Sequence, residues 1–195
     1  MPGPIAGVRV LELAQIMAGP ACGLMLADLG AEVIKIEKTA GGDDTRKFLP
    51  PDINGESAAF MMMNRNKKGL ALNLKEQEGI NIFKKMVEQS DVVIENFRKG
   101  TLEKLGIGYE DLKKINPKII LCEISGYGRT GPYADKGGFD LVAQGMSGLM
   151  SITGESSDKP PMKVGAPLTD ITAGILGSTG VLAALINRDK TGKGQ

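Results

Sequence analysis

The sequence predicts an α/β fold: a Rossmann-like, mainly parallel sheet with helices on both faces. Two observations point there. Short apolar runs of strand length alternate with longer stretches of helical spacing along the whole chain, a pattern that implies right-handed crossovers between parallel strands. A length of 195 residues with 42% hydrophobic side chains is also enough to bury one substantial core.

Taken in order, Val8 to Leu13 reads as the first strand. The segment from Pro20 to Leu29, following Ala18-Gly19, reads as a helix ended by Gly30. Glu32 to Glu37 is the second strand, and the polar, glycine- and proline-bearing stretch from Thr39 to Ser57 reads as a long loop with a functional role. A short helix is expected over Ala58 to Met63. Gly69 to Leu74 is the third strand. Ile80, Ile82, Phe83 and Met86 then recur at helical spacing between Glu78 and Glu88. Asp91 to Glu95 makes a fourth strand, Thr101 to Leu105 and Tyr109 to Ile115 two short helices, and Lys118 to Ile124 a fifth strand. Two further helices are expected, from Asp140 to Met150 and from Asp170 to Arg188.

Composition narrows the chemistry. The chain has no histidine, so a general base must come from another residue type. A formal net charge of +1 gives no broad field for nucleic acid, and no nucleic-acid partner is expected. Cys22 and Cys122 lie far apart in apolar stretches and read as reduced core residues; without histidine partners no metal site is expected. Met1-Pro2-Gly3-Pro4 carries no charged region followed by an apolar core. No apolar run approaches membrane length without polar or glycine interruption, so the expectation is a cytoplasmic protein with no membrane partner.

In a doubly wound sheet ligands lie beyond the carboxyl ends of the strands. That rule gathers Ala14-Gln15, Lys38, Asn96-Phe97 and Gly126-Tyr127 on one rim. Lys38, Arg46, Lys67, Lys68, Arg98, Lys99 and Lys104 stand at or beyond strand ends or in loops; as a set they suit a phosphorylated ligand, singly they suit a solvated surface. Gly126 to Gly131 has the spacing of a dinucleotide fingerprint, but Pro132 and polar residues follow where a helix N-terminus is needed, and that reading is rejected. Asp170 opens a long apolar run. It reads as an N-cap of the last helix, and the same placement suits a carboxylate nucleophile; Asp140 reads as a structural cap of its own helix.

Several segments together resemble the family III coenzyme A transferases, the group that includes formyl-CoA and carnitine CoA-transferases and the related alpha-methylacyl-CoA racemases. They are Gly7-Val8-Arg9-Val10-Leu11-Glu12 with Ala18-Gly19-Pro20-Ala21, Leu29 to Glu37, Asn64-Arg65-Asn66-Lys67-Lys68, Asp91 to Arg98, and Lys190-Thr191-Gly192-Lys193-Gly194-Gln195. Their order and spacing are specific. The resemblance covers essentially the whole chain but only the N-terminal half of a family member, and implies a large-domain portion with the family's second, small domain absent.

The resemblance implies an acyl-CoA:carboxylate CoA-transferase whose nucleophile is Asp170. Its carboxylate would attack an acyl-CoA thioester to form a mixed anhydride, and CoA thiolate would convert that to an aspartyl-CoA thioester. An acceptor carboxylate would then take the acyl position and finally the CoA. Gln15 matches a residue flanking the acyl group; Lys38, Leu72, Asn96, Phe97 and Lys104 match residues lining the CoA nucleotide site. Coenzyme A and acyl-CoA enter as substrates, with no permanently bound cofactor, and full-length relatives form interlocked homodimers. The racemase branch uses a histidine in Gly-His-Asp, where this chain has Gly138-Phe139-Asp140; the absence of histidine favours the transferase. A CoA-binding but catalytically incomplete unit is the other alternative.

Overall fold

The computed structural model describes residues 2–156 and 158–195; Met1, where the N-terminal stretch read above begins, lies outside them. The strands of the main sheet are β1 (Arg9–Glu12), β2 (Glu32–Glu37), β5 (Lys67–Ala71), β6 (Val92–Glu95) and β7 (Ile120–Glu123). They are all parallel, in spatial order β5-β2-β1-β6-β7. Counted along the chain, that is the doubly wound order 3-2-1-4-5.

Helices α1 (Ala18–Asp28), α3 (Gln77–Val87), α5 (Tyr109–Ile115) and α8 (Leu168–Thr191) cover the sheet. The strand period of two sends successive residues to opposite faces. Val10, Val92 and Ile94 join Cys22 and Leu26 of α1 and Val181, Ala184 and Leu185 of α8 in one core. Leu11 and Val93 join Ile80, Phe83 and Val87 of α3 and Leu112 of α5 in the other. Helix α8 lies directly against α1. A Cβ at Gly174 would stand 2.6 Å from Ala21 Cβ and 2.8 Å from the Ala18 carbonyl oxygen, so only glycine permits the approach.

Three expected elements need correction. The third strand runs Lys67–Ala71 instead of Gly69 to Leu74, because it pairs with β2 from Val33 to Glu37 and because Lys67 enters the sheet to meet a buried carboxylate. The stretch read as a loop contains a 3-10 turn, Asp44–Lys47, and an antiparallel hairpin of β3 (Asp52–Ile53) and β4 (Glu56–Ser57). Asn54-Gly55, both at positive φ, closes that hairpin as the primed turns do. The helix expected from Asp140 to Met150 is two, α6 (Asp140–Met146) and α7 (Leu149–Ile152), broken at Gly148 with φ 80°.

The short helices α2 (Ala58–Asn64) and α4 (Thr101–Lys104) complete the fold. Of the three consecutive methionines, Met63 is buried while Met61 and Met62 are exposed. By length and apolarity alone α8 could cross a membrane, with mean hydropathy 1.5. In this fold it buries Gly174, Ser178, Val181, Ala184 and Leu185 along one face, while Leu168, Ile175, Leu176 and Ile186 are exposed.

Candidate functional site

The doubly wound order reverses direction between β1 and β6, and the crevice beyond their carboxyl ends is where such sheets bind ligands. A cavity of ≈ 370 Å³ opens there. Ile16, Met17 and Ala18 form one wall, from the turn after β1. Asn96 and Phe97 follow β6, Ser125, Gly126 and Arg129 follow β7, and Thr169, Asp170 and Ala173 come from the first turns of α8.

Asp170 is the third residue of α8 and half-buried. It is not the cap: Pro167 occupies that position, and its side chain accepts nothing. The cap is supplied from outside the helix by Asp140, whose Oδ1 accepts the Thr169 amide at 2.9 Å and the Thr169 hydroxyl at 2.7 Å. Its Oδ2 accepts Gln144 Nε2 at 2.7 Å. Asp140 therefore does not cap its own helix either; Phe139 holds that place without a side-chain bond. A proline cannot offer a side-chain oxygen to the orphan amides, so the carboxylate of the neighbouring helix does so.

The two acids are driven apart in consequence. Burial opposes ionisation of Asp140, but its bonds from Thr169 and Gln144 outweigh burial and hold it below the usual carboxylate range. Burial and then the nearby Asp140 charge push Asp170 up from its ordinary value, and among the described residues no hydrogen bond offsets them. A carboxylate that gives up solvation without gaining donors is a stronger nucleophile than one held by a cap.

The turn bearing Ile16 is gripped from several sides. Asn96 accepts the Gln15 amide through Oδ1 at 2.9 Å and donates Nδ2 to the Gln15 carbonyl at 2.8 Å. Opposite, Glu95 is 1% exposed and pairs with Arg129, whose guanidinium also donates to the Phe97 carbonyl at 3.2 Å. Arg129 Nε lies 3.0 Å from Glu123, close enough for an ion pair but off the angle of a hydrogen bond. Burial outweighs the Arg129 charge and pushes the Glu95 carboxyl up to about 7. Gly126 and Gly138 close the glycine-rich loop upon itself; a Cβ on either would meet the other's Cα at 2.4 Å.

Of the site residues expected from sequence, Asp170, Asn96 and Phe97 line the cavity. Gln15 adjoins it through Asn96. Lys38, Leu72 and Lys104 do not line it. Lys38 lies beyond β2 and pairs with Asp44 at 2.6 Å, Leu72 follows β5 and packs in the core, and Lys104 is exposed on α4. The basic set is likewise dispersed: Arg98 and Lys99 reach the cavity, whereas Arg46 pairs with Glu37, Lys68 with Glu32, and Lys67 is buried. Arg129, Thr169 and the capping role of Asp140 escaped the sequence reading, since each depends on a neighbour more than 25 residues away. Among the described residues no group of three or more His, Cys, Asp or Glu side chains is placed to hold a metal ion.

The profile of CoA-transferase family III matches residues 5–195. The chain belongs to that family. It is 47% identical over 191 residues to succinyl-CoA:glutarate CoA-transferase of Mus musculus, covering 98% of this chain and 44% of the relative. It is 48% identical to succinate–glutarate CoA-transferase of Agrobacterium fabrum, covering 98% and 49%. Among solved structures, a CAIB/BAIF family protein from Brucella suis superposes with a TM-score of 0.95 at 46% identity, covering all of this chain and 52% of the other. This family III chain thus spans about half the length of the curated relatives it matches.

Proposed function

We propose that this chain carries the nucleophile of an acyl-CoA:carboxylate CoA-transferase, and that Asp170 is that nucleophile. One observation carries the reading: a half-buried carboxylate, relieved of capping by Asp140, faces the cavity at the switch point of a family III sheet.

Asp170 attacks the thioester carbonyl of acyl-CoA, forming an acyl–aspartyl anhydride and releasing CoA thiolate. The thiolate attacks the aspartyl carbonyl and expels the donor acid, leaving an aspartyl-CoA thioester. The acceptor carboxylate attacks that thioester, again releasing thiolate, and the thiolate takes the new acyl group to regenerate Asp170. Each step exchanges one acyl bond for another, so water is the competitor to exclude. Gln15 flanks the acyl group, Asn96 and Phe97 line the approach, and Lys38 and Lys104 extend the CoA site along the rim beyond the cavity, with Leu72 supporting it from the core. Arg98 and Lys99, on the cavity wall, suit the second carboxylate of a dicarboxylic substrate such as those for which the two relatives are named. The whole enzyme in this reading is a cytoplasmic homodimer whose site draws on the additional length its relatives have.

Mass spectrometry of the chain incubated with succinyl-CoA tests it. The expected result is a hydroxylamine-sensitive adduct on Asp170 that the Asp170→Ala variant lacks. An adduct that persists in that variant removes Asp170 from the mechanism. Calorimetric binding of CoA with no adduct instead supports a CoA-binding but catalytically incomplete unit, a reading favoured by the half-length match.

A further inference from the structure

Beneath the cavity lies a cluster of charges that the transfer steps do not use. Glu12, Lys35, Asp43 and Lys67 have side chains no more than 2% exposed. Lys35 Nζ stands 3.0 Å from Glu12 Oε1, 2.8 Å from Asp43 Oδ2 and 2.9 Å from the Ala14 carbonyl. Lys67 Nζ stands 2.8 Å from Glu12 Oε2, 2.9 Å from the Pro20 carbonyl and 3.1 Å from Asn64 Oδ1. Asp43 accepts the Ile16 amide at 3.2 Å and the Thr45 amide and hydroxyl at 2.9 and 2.8 Å. Four charges thus arrive from four separate segments, and three of their bonds end on backbone groups between Ala14 and Pro20.

That backbone is strained where they grip it. Ile16 has φ 70°, the left-handed region a β-branched residue avoids, and it persists only where its surroundings over-determine it. Apolar side chains would fill the same space, yet none could hold a carbonyl and an amide on either side of one twisted residue. We infer that the Lys67–Glu12–Lys35–Asp43 cluster is a positioning device that forces Ile16 into its left-handed turn and so fixes the Ile16–Ala18 wall of the cavity. Asp43 is the contact that transmits it, since among the described residues it alone joins the charges to the Ile16 amide. The consequence for acyl transfer rests on the reading of Asp170 as nucleophile; the clamp itself does not.

Hydrogen exchange and acyl labelling of the full chain test the inference together. Asp43→Asn should speed exchange of the Ile16 amide about ten-fold, the loss expected when a charge-assisted bond becomes a neutral one, while Val93 and Ile94 in the central strand keep their protection. The same variant should label Asp170 about ten-fold more slowly, and adding Ile16→Gly should recover most of that loss, because glycine adopts positive φ unaided. Unchanged exchange at Ile16, exchange accelerated equally through the central strands, or an undiminished labelling defect in the Ile16→Gly background would each overturn it. A wild-type chain that takes no acyl group sinks the reading of Asp170 and leaves the exchange comparison to decide the clamp.

Discussion

The two sides of the cavity are held by charge in different ways. On the Ile16 side every member of the cluster is at most 2% exposed, and its charges also reach backbone groups at Ala14, Ile16 and Pro20. On the side of the glycine-rich loop and α8, the grip is a mixed one. Glu95 is buried, but its partner Arg129 is 22% exposed and shared with Glu123, and Asp140 holds Thr169 from a partly exposed position. A buried charge that loses its partner cannot turn to water, whereas a half-open one can. The first wall is therefore rigid and intolerant of change, and the second adjustable and responsive to pH.

The sharpest way to break this contrast is Glu12→Ala, which leaves two ammonium groups facing each other in the core. Chemical denaturation should show a loss of roughly 3–5 kcal/mol; a loss below about 1 kcal/mol would mean that the cluster is not a rigid support.

Glu95 sets the next effect. Its folded pKa, pushed up to about 7, lies above the ordinary value of 4.5, so between those values the folded chain binds a proton that the unfolded chain has released. Stability consequently falls as pH rises through that window and levels off above it. Glu95→Gln should remove roughly 1–3 kcal/mol of this pH dependence between pH 4.5 and about 7, read from denaturation midpoints. An unchanged slope would show that Arg129 compensates Glu95 fully.

Smallest is Asp140→Ala. Loss of the cap on α8 should cost about 1 kcal/mol in thermal unfolding. Removal of the neighbouring charge should bring the Asp170 pKa down toward its ordinary value in a carbon-detected NMR titration. If Asp170 does not move, burial alone raises it.

How far these features could be read in advance depends on the range of the forces behind them. The central strands announced themselves because burial on both faces requires uninterrupted apolar residues, as in Val92-Val93-Ile94, whereas the exposed edge strand Lys67–Ala71 carries no such run and its bounds differ from those expected. Asp170 stood out because an acid opening an apolar helix must be satisfied or used. Glu12 within Val10-Leu11-Glu12-Leu13 and Lys35 within Val33-Ile34-Lys35-Ile36 carried a signal of the same kind, two opposite charges inside strands, which marks a buried pair. Their link to Asp43, in a stretch that reads as polar loop, has no local mark. Lys67 read as a rim cation for the same reason: nothing in Asn66-Lys67-Lys68 separates the buried lysine from the exposed one.

The sequence by itself determined the parallel α/β architecture and the family, because periodicity, glycine placement and ordered motifs act through near neighbours in the chain. Tertiary structure alone decided which acid caps α8 and which is left uncapped, which lysine is core, and why a β-branched residue accepts φ 70° at the cavity wall. Those outcomes depend on which segments the sheet order brings together, and electrostatic satisfaction of a buried group is settled by whatever lies beside it in space.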